Sequence, residues 1–165
     1  MRMLNMGKQG TAHAHDLIGS NIENVIRTLP NPIMVVQLGF QAPSRFLFAY
    51  DASPTAKKVL VLIASSPLLN GLEYDLVIVG EPSDEHERQL AQAKQVLKSA
   101  GTMGEAKLLQ GEVVPVICQH AVEVECDLIV MGAYAHSRIR QFIVGSTTTG
   151  ILKTTRTSML LLRYN

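Results

Sequence analysis

The residues best suited to chemistry lie in a loop between a predicted strand and a predicted helix. The loop starts at Gly132 and reaches Gly145, and glycines let backbone N–H groups approach a phosphate closely. Ser146 and Thr147 follow at the expected start of the helix, where unpaired N–H groups and the positive end of the helix dipole attract anions. These residue types in this order predict a phosphate-binding loop, while a plain turn without a ligand is the simpler alternative.

Charged side chains near this loop are further candidates for the site. Arg138 lies inside the loop and would supply positive charge, although a single surface arginine is usually just solvated. Asp51 follows another predicted strand and Ser53 stands two residues later. Asp51 is either a ligand-binding carboxylate or an ordinary turn residue, and the sequence leaves both open. The sequence shows no Ser-His-Asp arrangement and no G-x4-G-K-[ST] motif, so it favours binding over catalysis.

The elements that must position these residues alternate regularly from Arg45 onward. Apolar runs predict strands, and apolar residues at helical spacing lie between them. We therefore expect an α/β, Rossmann-like fold, in which helices cover both faces of a five-stranded, mostly parallel sheet. Ligands in such sheets bind beyond the carboxyl ends of the strands, where Asp51 and Gly132 both fall. The predicted strands cover residues 46–50, 74–79, 105–110, 128–131 and 158–162.

Capping residues mark the ends of the predicted helices. Ser53 is a good N-cap, and Pro54 suits the first helical position. Asp84 and Glu87 have the spacing of a capping box for the second helix, which Gly101 ends. A third helix is predicted over residues 113–125 and a fourth from residue 146.

The first forty residues mirror the last third of this unit. Gly7-x-x-Gly10 and Gly19-Ser20 correspond to the glycines of the main loop, and Pro32–Val36 corresponds to Ser158–Leu162. We interpret this as an internal repeat of which only the end of the first copy is present. The predicted organisation is therefore residues 1–40 as a partial β-α-β repeat with a linker, and residues 45–165 as a complete domain.

Composition narrows the functional classes. The chain has 165 residues, is 47% hydrophobic and 18% charged, and carries a net charge of +1. This balance predicts a globular core, and the lack of a basic excess argues against a general nucleic-acid binder or an anionic-membrane binder. The apolar runs are far shorter than the roughly 20 residues of a membrane span. Two cysteines, Cys118 and Cys126, are expected to be free thiols in a reducing cytoplasm.

The main loop resembles the nucleotide-binding motif of the universal stress protein family, G-x2-G-x9-G-[ST]. Gly132, Gly145 and Ser146 stand at that spacing, and Ala135 occupies the place of the second glycine. The preceding LIVMG and the segment FAYDAS are also similar to the family. The resemblance covers residues 45–163, and residues 1–37 as a partial copy. It implies an adenine nucleotide alpha hydrolase-like fold and an ATP site, with magnesium as an accompanying ion.

The resemblance also implies roles for individual positions. Asp51 and Ser53 would lie near the ribose and phosphates, or near a metal ion bound to them. The backbone around Val79 would face adenine. The remaining family positions would line the ribose and phosphates, and these are Gly132, Ala135, Gly145, Ser146 and Thr147.

Three functional hypotheses follow. The first is a regulatory stress-response protein that binds ATP with little or no hydrolysis, since no general base or catalytic metal cage is evident. The second is a dimerisation or adaptor domain with a vestigial pocket, which Ala135 would favour. The third is a nucleotide-dependent transferase. The absence of a serine- and glycine-rich pyrophosphate loop after the first strand of the domain argues against the third.

The segment Pro32–Val36 suggests self-association. Its apolar run is a poor candidate for an exposed edge strand. It can pair with Ser158–Leu162 of its own chain, or two chains can cover each other's segments. We expect the second, a homo-oligomer and most simply a symmetric dimer through the final strands.

Overall fold

Seven strands form one mixed sheet in a computed structural model, which describes residues 3–7, 25–26, 31–133 and 146–163. The strand order is β1-β2-β7-β6-β3-β4-β5. All neighbours are parallel except β2 and β7, which are antiparallel. The strands are β1 (Leu4–Gly7), β2 (Ile33–Val36), β3 (Arg45–Ala49), β4 (Glu73–Val79), β5 (Gly104–Leu109), β6 (Leu128–Gly132) and β7 (Ser158–Leu162).

Four helices connect the strands of the main domain within the described residues. They are α1 (Pro54–Ala64), α2 (Asp84–Ser99), α3 (Val113–Glu123) and α4 (Ser146–Thr154). Ser53 caps α1 as predicted, because its side chain accepts a hydrogen bond from the Ala56 N–H. The predicted capping box of α2 is wrong: Ser83, one residue earlier, accepts from the His86 N–H. Both Ser83 and Asp84 are good cap formers, so the sequence alone does not separate them.

Two apolar cores lie on opposite faces of the sheet. α1 and α2 pack on one face with residues such as Leu60 and Leu97. α3 and α4 pack on the other face with residues such as Ile117 and Ile151. This arrangement confirms the predicted α/β fold with helices on both faces. No helix in the described part of the chain is long and apolar enough to cross a membrane.

The prediction of five strands is wrong, because the N-terminal strands join the sheet of the main domain. β2 pairs with β7 through Ile33–Leu161, Met34–Leu160 and Val35–Met159, and β1 pairs with the far edge of β2. β2 is buried on both faces, so an apolar edge that would otherwise face water is covered.

This pairing also corrects our expectation of which chain buries β2. We expected a second chain to bury this strand, whereas its partner is β7 of the same chain. The Gln37 N–H strengthens the junction by donating to the Ser158 hydroxyl at 3.1 Å. The final strand thus has a neighbour on each edge, β2 on one and β6 on the other.

A crevice for ligands is expected where the strand order reverses. β3 leads through α1 to β4 on one side, while β6 lies on its other side. Helices that leave neighbouring strands to opposite faces diverge there, which opens a crevice beyond the carboxyl ends of β3 and β6. Asp51 and Gly132 both lie at this edge.

Candidate functional site

A cavity of about 270 Å³ occupies this crevice. It lies beyond the carboxyl ends of β3, β4 and β6, which contribute Ala49, Val79 and Gly132 to its lining. Helices α1, α3 and α4 close its sides. A pocket of roughly this size, partly apolar and with a few polar groups, is typical of small-molecule sites.

Six of the nine residues predicted from the sequence line this one cavity. They come from four separate segments of the chain: Asp51, Ser53, Val79, Gly132, Ser146 and Thr147. The other three, Ala135, Arg138 and Gly145, lie outside the described residues. The fold therefore brings together every predicted site residue that the structure describes.

Three helices begin at the cavity. α1 starts after Ser53, α4 starts at Ser146, and α3 starts at Val113, and all three residues line the space. A helix amino terminus presents unpaired N–H groups and a partial positive charge. Three such ends around one cavity favour an anionic ligand group.

The turn after β3 holds Asp51 and Ser53 in place. The Ser53 N–H donates to Asp51 Oδ1 at 3.0 Å, and the Ser53 hydroxyl accepts from the first turn of α1. Ala52 between them has a φ of 55°, which is unfavourable for a residue with a Cβ atom. The turn keeps this strained residue and thereby places both polar side chains at the cavity.

One wall of the cavity is apolar. It combines Val77 and Val79 of β4 with Met131 of β6 and with Val113 and Ile117 of α3. Only Val79 was predicted. The sequence did contain a signal for two of the missed residues. Val77 faces the same side of the sheet as Val79, because alternate residues of a strand share a face, and Ile117 belongs to the apolar stripe of α3. An apolar slot next to polar helix ends suits a ligand that carries a flat ring and an anionic group.

Thr148 is a polar residue of the cavity that the sequence did not reveal. It lies in the first turn of α4, lines the cavity and is only 4% exposed. Its hydroxyl makes no hydrogen bond to any residue that the structure describes. A ligand in the cavity could hydrogen-bond to this hydroxyl, in a place that is shielded from water.

Ionisable groups are few along the described part of the lining. Asp51 is its one carboxylate, and Tyr50 lies beside it. Burial, with a smaller effect of Asp51, raises the pKa of the Tyr50 hydroxyl, which therefore stays neutral. Among the described residues no cluster of three or more His, Cys, Asp or Glu could hold a metal ion. One carboxylate still fits a magnesium ion that is bound mainly by ligand phosphates.

Sequence comparisons relate the chain to known proteins. A model described as the universal stress protein family matches residues 72–163. A curated relative, universal stress protein Slr1230 from Synechocystis sp. (strain ATCC 27184 / PCC 6803 / Kazusa), is 36% identical over 162 residues. The match covers 96% of this chain and 56% of that protein, so the chain spans about half the length of the relative.

Solved structures share the fold at low sequence identity. A universal stress protein from Archaeoglobus fulgidus DSM 4304 has a TM-score of 0.76 at 19% identity, covering 99% of this chain and 61% of its own. A universal stress protein in complex with cAMP has a TM-score of 0.63 at 20% identity and covers 74% and 98%. An Arabidopsis thaliana family protein with AMP bound has a TM-score of 0.59 at 18% identity and covers 74% and 93%.

Proposed function

The chain belongs to the universal stress protein family, and from this premise we propose that it is an adenine-nucleotide-binding regulatory protein of the stress response. Nucleotide binding would shift a conformation or an assembly, with little or no hydrolysis. Asp51 is the one carboxylate of the described lining, and it is not accompanied there by a histidine or a second carboxylate. This supports a binding role over a catalytic one.

One observation carries the proposal: the cavity joins an apolar wall to three helix amino termini. The apolar wall formed by Val77, Val79 and Ile117 suits the adenine ring. The ends of α1 and α4 suit phosphate groups, because N–H donors and partial positive charge act there together. The relatives solved with cAMP and with AMP support the same class of ligand.

The proposed ligand is ATP, accompanied by magnesium. Asp51 and Ser53 would contact the ribose, the phosphates or the metal ion, and the backbone at Val79 would contact adenine. The residues proposed for the ribose and phosphates are Gly132, Ala135, Arg138, Gly145, Ser146 and Thr147. To these we add Thr148, which lines the cavity and whose hydroxyl has no hydrogen-bond partner among the described residues.

Substitution of Thr148 tests the proposal. Thr148→Val keeps the shape and removes the hydroxyl, so we expect nucleotide affinity to fall by roughly fivefold to tenfold. The same change should alter the stability of the ligand-free protein by less than about 1 kcal/mol, because the hydroxyl makes no hydrogen bond within the part of the chain that the structure describes. Calorimetric titration with ATP and magnesium, and with AMP, measures the first effect, and denaturant unfolding measures the second.

Thr102 provides a matched control. It is also a buried threonine, but its hydroxyl donates to the Leu97 carbonyl at 2.6 Å. It is absent from the cavity lining and lies before the amino end of β5, whereas the cavity lies beyond the carboxyl ends of the strands. Thr102→Val should destabilise the protein and leave nucleotide affinity unchanged. Equal affinities of wild type and Thr148→Val would remove Thr148 from the site, and a wild type that binds neither nucleotide would reject the proposed function.

A second candidate function is an adaptor or dimerisation domain without a nucleotide. The alanine at position 135 favours it, because the family motif has glycine there. Mass spectrometry of the denatured purified protein separates the two, since co-purified nucleotide is expected only for the first. Within the first, Gly145→Val should abolish binding and Ala135→Gly should leave it equal or tighter.

The proposal extends to organisation, assembly and location. Residues 1–40 are proposed as the end of a first repeat, and residues 45–165 as the complete domain. A homo-oligomer remains part of the proposal, now through the outer edge of β1, since β7 is flanked on both sides. A cytoplasmic location suits Cys118 and Cys126, which form no disulfide with each other.

A further inference from the structure

An ionic network with a buried centre and partly exposed outer members lies under α3, away from the ligand cavity. At its centre is the carboxylate of Asp75 on β4, which is 3% exposed. Lys107 of β5 donates to Asp75 Oδ1 at 3.0 Å, and Arg45 of β3 reaches within 4.0 Å of Oδ2. Nε2 of His120, on α3, lies 3.4 Å from the same Oδ1. One carboxylate thus joins three strands of the sheet to the helix above them.

His120 has a carboxylate beside each of its ring nitrogens. Nε2 faces Asp75, and Nδ1 lies 3.8 Å from Oε2 of Glu123 one turn later on α3. A neutral imidazole carries a single N–H, so one of its nitrogens would face a carboxylate with a lone pair. The imidazolium donates from both nitrogens. Its charge is also favoured by its position in the last turn of α3, at the negative end of the helix dipole.

The other charged groups around His120 either favour or oppose its protonation. Lys107 shares Asp75 Oδ1 with the imidazole and opposes its protonation, as Arg45 does more weakly from the far oxygen. Asp75 and Glu123 favour its protonation. The Cys126 thiol interacts with Asp75 but stays neutral, because burial raises the pKa of that thiol to about 12. The network therefore contains three carboxylates, two cationic side chains and the imidazole of His120; the third carboxylate is Glu73, which pairs with Arg45 at 2.5 Å and offsets its charge.

The same helix and strand connect this network to the cavity. Ile117 lies one turn before His120 on α3 and lines the cavity, as does Val113 at the start of the helix. On β4, Val77 lines the cavity and Asp75 lies two residues away on the same face of the sheet. A stronger contact between His120 and Asp75 would hold α3 closer to β4, and residues of both α3 and β4 form the apolar wall of the cavity.

We propose that His120 is a proton-dependent positioning residue of the nucleotide site: its protonation fastens α3 to the sheet and raises the affinity for nucleotide. This proposal rests on the proposed function, because it concerns regulation of the same cavity. Nucleotide binding and proton binding then favour each other, since coupling between two sites is reciprocal. Acidification of the surroundings would shift the protein towards its nucleotide-bound state.

The first test compares AMP affinity near pH 6 and near pH 8 in wild type and His120→Gln. The AMP phosphate itself titrates in this range, and this contribution is common to both proteins. We expect wild type to gain about fivefold more affinity on acidification than the variant gains. Calorimetry in two buffers of different ionisation enthalpy should show extra proton uptake on binding only in wild type.

A matched control uses the other histidine of the described residues. His86 on α2 contacts the Glu81 carbonyl and is absent from the cavity lining. His86→Gln should keep the pH dependence of wild type. If His120→Gln also keeps it, with the same proton uptake, the proposal is wrong.

A second measurement needs no nucleotide. Hydrogen exchange, corrected for the intrinsic pH dependence of exchange, should show α3 amides more protected near pH 6 than near pH 8 in wild type, and equally protected in His120→Gln. Identical behaviour of the two proteins would overturn the proposal whatever AMP does. If the α3 difference is found but AMP does not bind at either pH, the proposed function fails while the proton-dependent contact stands.

Discussion

The strand pairs β1–β2 and β6–β7 are built alike but lie in different surroundings. In both, a parallel partner ends in glycine, with Gly7 opposite Val36 and Gly132 opposite Leu162. β2 and β7 then meet in an antiparallel pairing centred on Met34 and Leu160. β6 continues to β3, whereas β1 is the last strand on its side of the sheet in the described part of the chain.

The sequences of the two strands reflect this difference. Asn5 pairs with Met34 in the same way that Val130 pairs with Leu160. Asn5 is exposed at the edge, while Val130 is fully buried between β3 and β7. A central parallel strand is covered on both faces and must be apolar, and an edge strand tolerates polar residues. Position in the sheet, rather than the local pairing, therefore decides which residues the two strands accept.

The largest effect is expected from removing the first strand pair. Deletion of residues 1–40 exposes the apolar edge of β7, so the shortened chain should stay folded and associate through that edge. Light scattering at micromolar concentration measures the association. A peptide covering residues 31–38 should reoccupy the edge and reduce the assembly size. A shortened chain that stays monomeric without the peptide would contradict the inference that β2 covers an association-prone edge of β7.

Exchanging the residue types at equivalent positions of β1 and β6 tests whether position in the sheet decides which residues a strand accepts. Val130→Asn buries an amide without partners between two strands and should cost about 3 kcal/mol of unfolding free energy. The reciprocal change, Asn5→Val, should stay within about 0.5 kcal/mol of wild type. Denaturant unfolding measures both. Similar costs for the two changes would mean that β1 and β6 occupy more similar environments than the structure shows.

A smaller effect is expected at the start of β6. The Asp127 carboxylate accepts from the Ser44 N–H, the Ser44 hydroxyl and the Arg45 N–H, and so joins β6 to β3. The Ser44 N–H contributes most to lowering the pKa of this carboxyl, with a smaller contribution from Arg45. A lowered folded-state pKa stabilises the fold above the unfolded value of about 3.9, and this stabilisation is lost as pH falls through the folded value.

Asp127→Asn should therefore be modestly less stable than wild type at pH 7, and the two should converge in acid. Thermal unfolding between pH 7 and pH 2 measures the difference. A difference that persists unchanged at the acidic end would show that the carboxylate charge is not what joins the strands.

Much of the main domain was predictable because its strands are apolar runs and its helices have regular spacing. The five strands of residues 45–163 lie within about one residue of their predicted positions, and Ser53 caps α1 as expected. The number of strands in the sheet was not predictable. Whether Ile33–Val36 pairs within the chain or with a second chain depends on a contact between distant residues, which local patterns do not encode.

The candidate site was predictable where backbone rules apply. Glycine and hydroxyl residues at strand and helix ends led to Gly132 and Ser146, both of which line the cavity. Ile117 and Thr148 were missed because each belongs to a helix whose pattern indicates only packing. That Thr148 lines a cavity is a property of the assembled fold. The links between Asp75 and His120 are equally long-range and could not be read from either segment.

The antiparallel junction between β2 and β7 has a consequence for biosynthesis. Gln37 and Ser158, which close it, are 121 residues apart. At ribosomal rates of 5–20 residues per second, β2 leaves the ribosome about 6–24 seconds before its partner has been made. During that interval an apolar strand is without its native neighbour, while the parallel strands of the main domain are still being added. The nascent chain therefore has a time window in which chaperones, or a neighbouring nascent chain on the same message, compete with β7 for this strand.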